Sequence, residues 1–173
     1  MSAWSEPKKP LRLWEKERAK EDKAPKAISC YGLYLPEQQQ QQQQQQMLLR
    51  FVEGRPVSGI TCQFLAWVCE RLEAAGRKVL ALIWDNAAWH KSGEVRNWVR
   101  AYNRQAKARG GLRLLVFALP SRSPWLNAIE PKWAHGKRAV LEPERVLSTQ
   151  ELTGRVCRYY RCEQLPNLEQ ELP

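Results

Sequence analysis

An apolar run that ends in a carboxylate constrains the fold of this chain more than any other feature. Val79–Trp84 contains no charged residue, and Asp85 follows it directly. A short run that is apolar throughout predicts a strand with both faces covered, as in parallel sheets. Open α/β sheets carry their chemistry at the carboxyl ends of such strands. The run therefore predicts an α/β fold with a functional site at Asp85.

Helical and strand patterns alternate around this run. Apolar spacing and turn residues predict strands over residues 27–34, 47–52 and 112–118, and helices over 60–74, 92–108, from about 127, and from Ser148 to about 162. The last helix opens on the capping-box pattern of Ser148 and Glu151. Such an order predicts a mixed sheet with helices packed on it.

Three segments differ in composition from the rest of the chain. Residues 1–26 are charged and offer at most one short strand. Nine consecutive Gln at 38–46 have no apolar periodicity, so we predict a flexible insertion, with an aggregation-prone interaction tract as the alternative. Residues 163–173 form a tail that should fray after Pro166. The single domain predicted by this division spans residues 27–162.

The charge of the chain is strongly basic, at a net +10. Residues 91–145 hold 12 Lys and Arg against 4 Glu, so most of the excess lies there. A basic surface beside carboxylates favours a polyanionic partner, and DNA or RNA is the first expectation. An ordinary basic surface without a nucleic-acid role is the alternative.

Cysteine spacing and hydropathy bear on the compartment. The five Cys form no CxxC pair and no Cys/His ligand spacing, so they do not indicate structural zinc. We expect reduced, mostly buried thiols. No apolar stretch approaches membrane-spanning length, and the N-terminus has no apolar signal-peptide core. These features predict a cytoplasmic, nucleoid-associated protein without a membrane partner.

A second carboxylate, Glu130, lies in the proline-bracketed stretch 119–133, at the predicted start of a helix. Two separated carboxylates in a basic region indicate divalent metal ions acting on a phosphate backbone, because hard cations such as Mg²⁺ prefer oxygen ligands. In the alternative interpretation, Asp85 starts a turn and Glu130 stabilises the helix N-terminus.

Several polar residues flank the two carboxylates. His90 could contact phosphate or orient a ligand, or bond to the loop backbone, while Asn86 and Asn127 could face the site or cap a turn and a helix. Phosphate contacts are predicted at five cations, with a solvated face as the alternative: Arg100, Arg104, Lys132, Lys137 and Arg138.

Together, two motifs resemble those of a DDE transposase of the mariner superfamily, bacterial insertion-sequence branch. They are Leu-Ile-Trp-Asp-Asn-Ala-Ala-Trp-His at 82–90, and Leu-Pro at 119–120 followed by Pro-Trp-Leu-Asn-Ala-Ile-Glu-Pro-Lys-Trp at 124–133. The resemblance covers about residues 26–162. It implies a ribonuclease-H-like fold and cleavage and joining of DNA with two Mg²⁺ or Mn²⁺ ions. Asp85 then matches the second catalytic carboxylate and Glu130 the third, while Ala128 replaces the usual proline.

The family's first catalytic Asp has no counterpart in this sequence. Asp22 is the only Asp besides Asp85, and it lies in a charged stretch with no apolar strand before it. The family's helix-turn-helix region is also missing. We therefore expect a ribonuclease-H-like sheet without its first strand and with exposed edges. The chain alone should be marginally stable and catalytically weak or inactive.

The resemblance implies DNA, as element ends and target, together with an upstream transposase fragment or full-length transposase as partners. It leaves a homodimer open. Another ribonuclease-H-like nuclease, such as a resolvase, is one alternative, and it would require further acids near the site. A non-catalytic DNA-binding or regulatory remnant is the other, and it would bind DNA in a salt-sensitive way without cleavage.

Overall fold

A computed structural model describes residues 28–36, 46–121, 123–141 and 147–169. The order of strands and helices confirms the predicted order, with a short 3-10 helix at Pro124–Leu126. The elements are β1 Ile28–Leu35, β2 Gln46–Glu53, α1 Ser58–Ala74, β3 Val79–Trp84, α2 Gly93–Arg109, β4 Arg113–Ala118, α3 Glu130–Val140 and α4 Thr149–Tyr160. The N-terminal segment 1–26 and residues 38–45 of the Gln tract lie outside the described residues.

β1 and β2 form an antiparallel pair whose register runs from Ile28 opposite Glu53 to Leu35 opposite Gln46. Consecutive residues of β2, from Met47 to Leu49, are buried. Because successive side chains of a strand point to opposite faces, β2 is covered on both faces.

The outer edge of β2 is bridged by the C-terminal segment. Leu168 is buried, pairs with Val52, and donates its N–H to the Phe51 carbonyl at 2.7 Å. The prediction that the chain frays after Pro166 is therefore wrong as far as Leu168. Burial of the Leu168 side chain and its backbone hydrogen bond hold this stretch against β2.

β3 and β4 form a parallel pair, joined by the crossover helix α2. Leu80 and Leu82 are buried, but Val79 and Ile83 are 55% and 59% exposed. The prediction that β3 is covered on both faces is therefore wrong. Apolar composition does not distinguish a strand covered on two faces from one covered on a single face.

The antiparallel and parallel pairs expected of a mixed sheet are both present, but in the described ranges they are not joined into one sheet. In the described part of the chain, β1–β2 and β3–β4 are two separate two-stranded sheets. α1 packs on β2 and α2 packs on β4, and one core cluster includes buried residues of α1 and of both sheets, such as Val52, Leu65 and Leu80. A cleft lies between β1 and β3, and among the described residues no ladder connects these two strands.

The apolar stripe predicted for α2 and the capping box predicted for α4 are both confirmed. In α2, Val95 is buried and its apolar stripe packs against the core, while Arg100 and Arg104 are exposed. In α4, the Ser148 hydroxyl accepts a hydrogen bond from the Glu151 N–H, and the Glu151 carboxylate accepts one from the Ser148 N–H, which completes the capping box. The five cysteines are free thiols, of which three are buried.

Candidate functional site

Asp85 follows the last residue of β3, and a tight turn brings His90 back to it. Asp85 Oδ1 accepts the Ala87 N–H at 3.0 Å and lies 2.9 Å from His90 Nδ1. A carboxylate only accepts hydrogen bonds, so this contact assigns the proton to Nδ1. The His90 ring stacks on Trp84, with centroids 4.8 Å apart and planes at 4°. His90 thus orients the carboxylate of Asp85.

Asn86 ties the ends of β3 and β4 together. Its side-chain amide donates to the Leu119 carbonyl at 2.6 Å, while the Leu119 N–H donates to the Trp84 carbonyl at 2.9 Å. These two bonds extend the parallel pairing beyond the strands. Asn86 therefore fixes the strand end that carries Asp85.

Glu130 is the first residue of α3, and its exposed carboxylate lies at the positive end of the helix dipole. The Glu130 N–H donates to the Asn127 carbonyl at 3.0 Å, and Pro131 lies in the first turn, where proline is compatible with a helix. The turn after the 3-10 helix therefore sets where α3 begins.

Two glycines let α3 pack closely on its neighbours. A Cβ on Gly32 would lie 2.5 Å from the Trp133 ring, and one on Gly136 would collide with the Tyr160 side chain. The Tyr160 hydroxyl donates to the Lys132 carbonyl at 2.7 Å. Both close approaches hold α3 against β1 and α4, and so they fix Glu130.

The candidate site is a cleft of about 1750 Å³ between the two sheets. Half of the ten residues predicted from the sequence line it, namely Asp85, His90, Asn127, Glu130 and Lys132. The Lys132 ammonium lies 5.1 Å from the centre of the Tyr34 ring on β1. Strand end, turn and helix start thus contribute to one concave surface, as functional sites commonly do.

The other predicted residues lie outside this lining. Asn86 bonds between the strand ends, while Arg100 and Arg104 are exposed on α2, and Lys137 and Arg138 are exposed in the last turn of α3.

Several polar residues of the cleft were not predicted from the sequence, and three of them lie near Glu130 in the chain or on α4 and its C-cap. His135, Tyr160 and Arg161 line the cleft. The position of His135 on the same helix as Glu130 was a usable signal. Arg161 adopts a left-handed backbone conformation after α4, with φ of 53°, and its sequence carries no cue for this. Burial raises the pKa of the Tyr160 hydroxyl to about 12, so this group remains a hydrogen-bond donor at neutral pH.

The described residues do not by themselves complete a site for two metal ions. Among them, no three His, Cys, Asp or Glu side chains are clustered as metal ligands. Asp85 and Glu130 supply hard oxygen donors, the type that Mg²⁺ and Mn²⁺ prefer, but a pair of divalent ions generally takes more than two carboxylates.

Comparison with known proteins assigns the family. Residues 37–153, more than half of the chain, match the model of the DDE superfamily endonucleases, so the chain belongs to this family. The family implies a transposase-like nuclease function and a DNA substrate, and its members generally use divalent metals. The mixed α/β architecture is consistent with this family. No curated protein and no solved structure matches the chain.

None of the helices in the described ranges combines the length and the apolarity that crossing a bilayer requires.

Proposed function

We propose that this chain is part of the catalytic domain of a mariner-superfamily transposase of the bacterial insertion-sequence branch. One observation carries the proposal: Asp85 and Glu130, 45 positions apart in the sequence, line the same cleft in a DDE superfamily endonuclease. Carboxylates at a strand end and at a helix start are suited to bind divalent ions acting on a phosphodiester. The substrate in this proposal is DNA, as element ends and target.

The proposed domain is a ribonuclease-H-like domain over residues 27–162 that lacks its first strand. The two separate sheets support this proposal, since β1 and β3 have no common neighbouring strand in the described ranges. Residues 1–26 and the Gln tract lie outside the proposed domain core. The tail 163–173 contributes Leu168 to the packing of β2.

The proposed roles follow from the contacts. Asp85 and Glu130 would bind Mg²⁺ or Mn²⁺, with His90 holding the Asp85 carboxylate through its 2.9 Å contact. Asn127 fixes the backbone before Glu130, and Lys132 offers a cation to phosphate within the cleft. The cations outside the cleft would contact DNA backbone: Arg100, Arg104, Lys137 and Arg138.

We further propose that these 173 residues do not cleave DNA by themselves, because a counterpart of the family's first catalytic Asp is missing. Asp22 is the only other Asp, and it lies within a run of charged residues. A transposase fragment encoded upstream would supply the missing carboxylate, in the cytoplasm and associated with the nucleoid.

Plasmid nicking tests this assignment. Supercoiled plasmid is incubated with Mn²⁺ and the pure chain, with and without the polypeptide encoded immediately upstream of Met1. We expect nicking only with both polypeptides, and its loss in Asp85→Asn or Glu130→Gln. Asp22→Asn is the matched control and should keep full activity. Nicking by the chain alone would contradict incompleteness, and restored nicking that survives Asp85→Asn would contradict the assigned site.

A second candidate function is a non-catalytic, DNA-binding remnant that regulates full-length transposase. The observation that favours it is the row of exposed cations on α2, which includes Arg100 and Arg104 and lies away from the cleft. Contacts to phosphate are independent of sequence and release counterions, so binding should weaken steeply with salt.

Two variants separate this function from an ordinary surface. Replacing Arg100 and Arg104 by Ala should weaken binding to any duplex and reduce the salt slope by about 1 per lost phosphate contact. The matched control, Lys at both positions, keeps the charge and should retain most of the affinity. Unchanged affinity in the Ala variant would show that α2 does not contact DNA.

A further inference from the structure

One indole in the described ranges has no packing partner there. Trp125 is 75% exposed, more than any other large apolar side chain of these ranges, and no ring contact joins it to another described residue. The remaining described Trp side chains each contact a neighbouring ring, namely Trp67, Trp84, Trp89, Trp98 and Trp133. Trp133 shows the contrast, because it packs against Gly32 and meets the Tyr160 ring edge-on. The Trp125 ring therefore does not belong to the core.

The backbone that carries Trp125 is held in one conformation. Pro124 opens the 3-10 helix Pro124–Leu126 with a fixed φ angle, and the Leu126 N–H donates to the Ser123 carbonyl at 3.1 Å. The following turn is closed by the 3.0 Å hydrogen bond from the Glu130 N–H to the Asn127 carbonyl. A side chain on a fixed backbone loses less conformational freedom when it binds. The indole can therefore contact a ligand without a rearrangement of the chain.

Trp125 lies at the rim of the cleft that contains the two carboxylates. Four consecutive residues, from Asn127 to Glu130, line the cleft, while Trp125 itself is outside the lining. The Cα atoms of Trp125 and Asn127 are at most about 7.6 Å apart, because only two trans peptide units join them. A DNA strand with a phosphate between Asp85 and Glu130 therefore passes beside the indole.

The chemistry of this exposed ring suits a nucleobase. Every base has a π-face, and unpaired bases bind proteins by stacking on aromatic side chains. The faces of a base inside a duplex are already covered by its neighbours, so a single exposed indole selects an unpaired base.

A partner protein is a poorer match for this surface. One Trp side chain offers about 150–250 Å², whereas a standard protein interface buries about 800 Å² on each partner. Leu126, at 53% exposure, is the only other exposed large apolar side chain of the 3-10 helix. The net charge of +10 and the ammonium of Lys132 in the cleft also favour an anionic ligand.

We propose that Trp125 stacks on an unpaired base of the DNA strand bound in the cleft. The preferred ligand is then DNA that is locally opened beside the bound phosphate, and an intact duplex binds more weakly. This inference rests on the proposed DNA substrate. It does not rest on metal binding by Asp85 and Glu130, because stacking requires no cation.

Fluorescence anisotropy in EDTA tests the stacking without cleavage. The probes are a fluorescein-labelled duplex with a short single-stranded gap of thymidines and the same duplex fully paired, each titrated with the full 173-residue chain. Trp125→Ala should weaken binding to the gapped probe by roughly 5- to 150-fold, which corresponds to the loss of one aromatic–base stack. Binding to the paired probe, which depends on phosphate contacts, should change by less than about twofold. Phe117→Ala is the matched control: it removes a 53% exposed aromatic ring outside the cleft and should change neither affinity.

Two further variants show which property of the ring matters. Trp125→Phe keeps an aromatic face and should retain part of the preference for the gapped probe. Trp125→Leu keeps only apolar surface and should bind as Trp125→Ala does. The midpoint of urea unfolding should be the same in all three variants and in the unmodified chain, because the side chain lies outside the core.

Several results would overturn the stacking: no preference of the unmodified chain for the gapped probe, an equal loss of affinity for both probes in Trp125→Ala, or full affinity in Trp125→Leu. Self-association that Trp125→Ala abolishes would place the ring between two copies of the chain, and would overturn it as well. Trp125-dependent binding without any nicking in the plasmid assay would keep the stacking and reject the metal site. Nicking together with unaltered binding by Trp125→Ala would reject the stacking and keep the metal site.

Discussion

The two sheets of this molecule are both rich in apolar residues, but they differ in how far neighbouring elements cover them. In β2, consecutive residues are buried because α1 lies on one side of the β1–β2 pair and the α3–α4 pair approaches from another direction. In the β3–β4 pair, Leu80, Leu82 and Leu114 are buried, while Ile83 and Phe117 on the other face are more than half exposed. An apolar strand sequence therefore shows only that its side chains can be buried. The neighbouring helices and strands determine how many of them are buried.

Adjacent leucines provide the largest test of this comparison. Leu48 and Leu49 of β2 are both buried, at 6% and 3% exposure, whereas Leu114 of β4 is 1% exposed and Leu115 is 43% exposed. Truncation to Ala should cost about 2–5 kcal/mol of unfolding free energy at either residue of β2 and at Leu114. Leu115→Ala should cost less than about 1 kcal/mol.

Urea unfolding of the four variants measures these costs. The exposed Leu115 is the matched control for Leu114, since both are leucines in one strand. Equal costs at Leu114 and Leu115 would mean that the outer face of β4 is covered in solution, and the contrast between the two sheets would be lost.

A second test disturbs the packing between α3 and α4, the two helices that lie near the β1–β2 pair. Gly136→Ala would drive a Cβ into the Tyr160 side chain, so it should destabilise the chain by about 1–3 kcal/mol and move Glu130. Gly154→Ala, in α4, is the matched control because its Cβ would have no neighbour closer than 3.6 Å. It should be neutral or stabilise by up to about 1 kcal/mol. Thermal or urea unfolding compares the two, and a harmless Gly136→Ala would show that α3 and α4 are not closely packed.

The smallest effect concerns Cys69 of α1, a buried residue of the core cluster that includes side chains from both sheets. Burial raises the pKa of the Cys69 thiol to about 11 from an ordinary value of 9.0. Between pH 9 and 11 the unfolded chain loses the thiol proton that the native chain retains. The contribution of this thiol to the free energy of unfolding is therefore complete below pH 9 and is lost as the pH rises through 11. Unfolding free energy should therefore fall between pH 9 and 11, by less than about 1 kcal/mol per pH unit for this thiol.

Cys69→Ala should flatten this part of the pH profile relative to the unmodified chain. If the free energy of unfolding had the same pH slope with and without the Cys69 thiol, Cys69 would not be buried in the core in solution.

Much of the fold could be predicted from the sequence because the local signals agree with the tertiary structure. The order of elements, the amphipathic stripe of α2 and the capping box of α4 depend on periodicity and on short-range hydrogen bonds. The split into two sheets and the exposed face of β3 could not be predicted. They depend on which elements are adjacent in space. The sequence of Val79–Trp84 suits a strand covered on both faces as well as one covered on a single face.

The site shows the same division. The end of β3 identified Asp85, and the start of α3 identified Glu130, since both are local features. The contact of His90 with Asp85 and the placement of Arg161 in the cleft depend on turn geometry that residue types leave open. The role of Asn86 between strand ends likewise required the parallel register.

One measurement tests the shared site most directly: Mn²⁺-induced broadening of backbone amide signals in the ¹⁵N-labelled chain. A single Mn²⁺ ion should broaden the amides around Asp85 and around Glu130 together. Asp85→Asn should remove the broadening at both positions, while Asp22→Asn should leave it intact. Broadening around Glu130 that persists unchanged in Asp85→Asn would show that the two carboxylates do not share an ion, and the cleft would then not be the catalytic site.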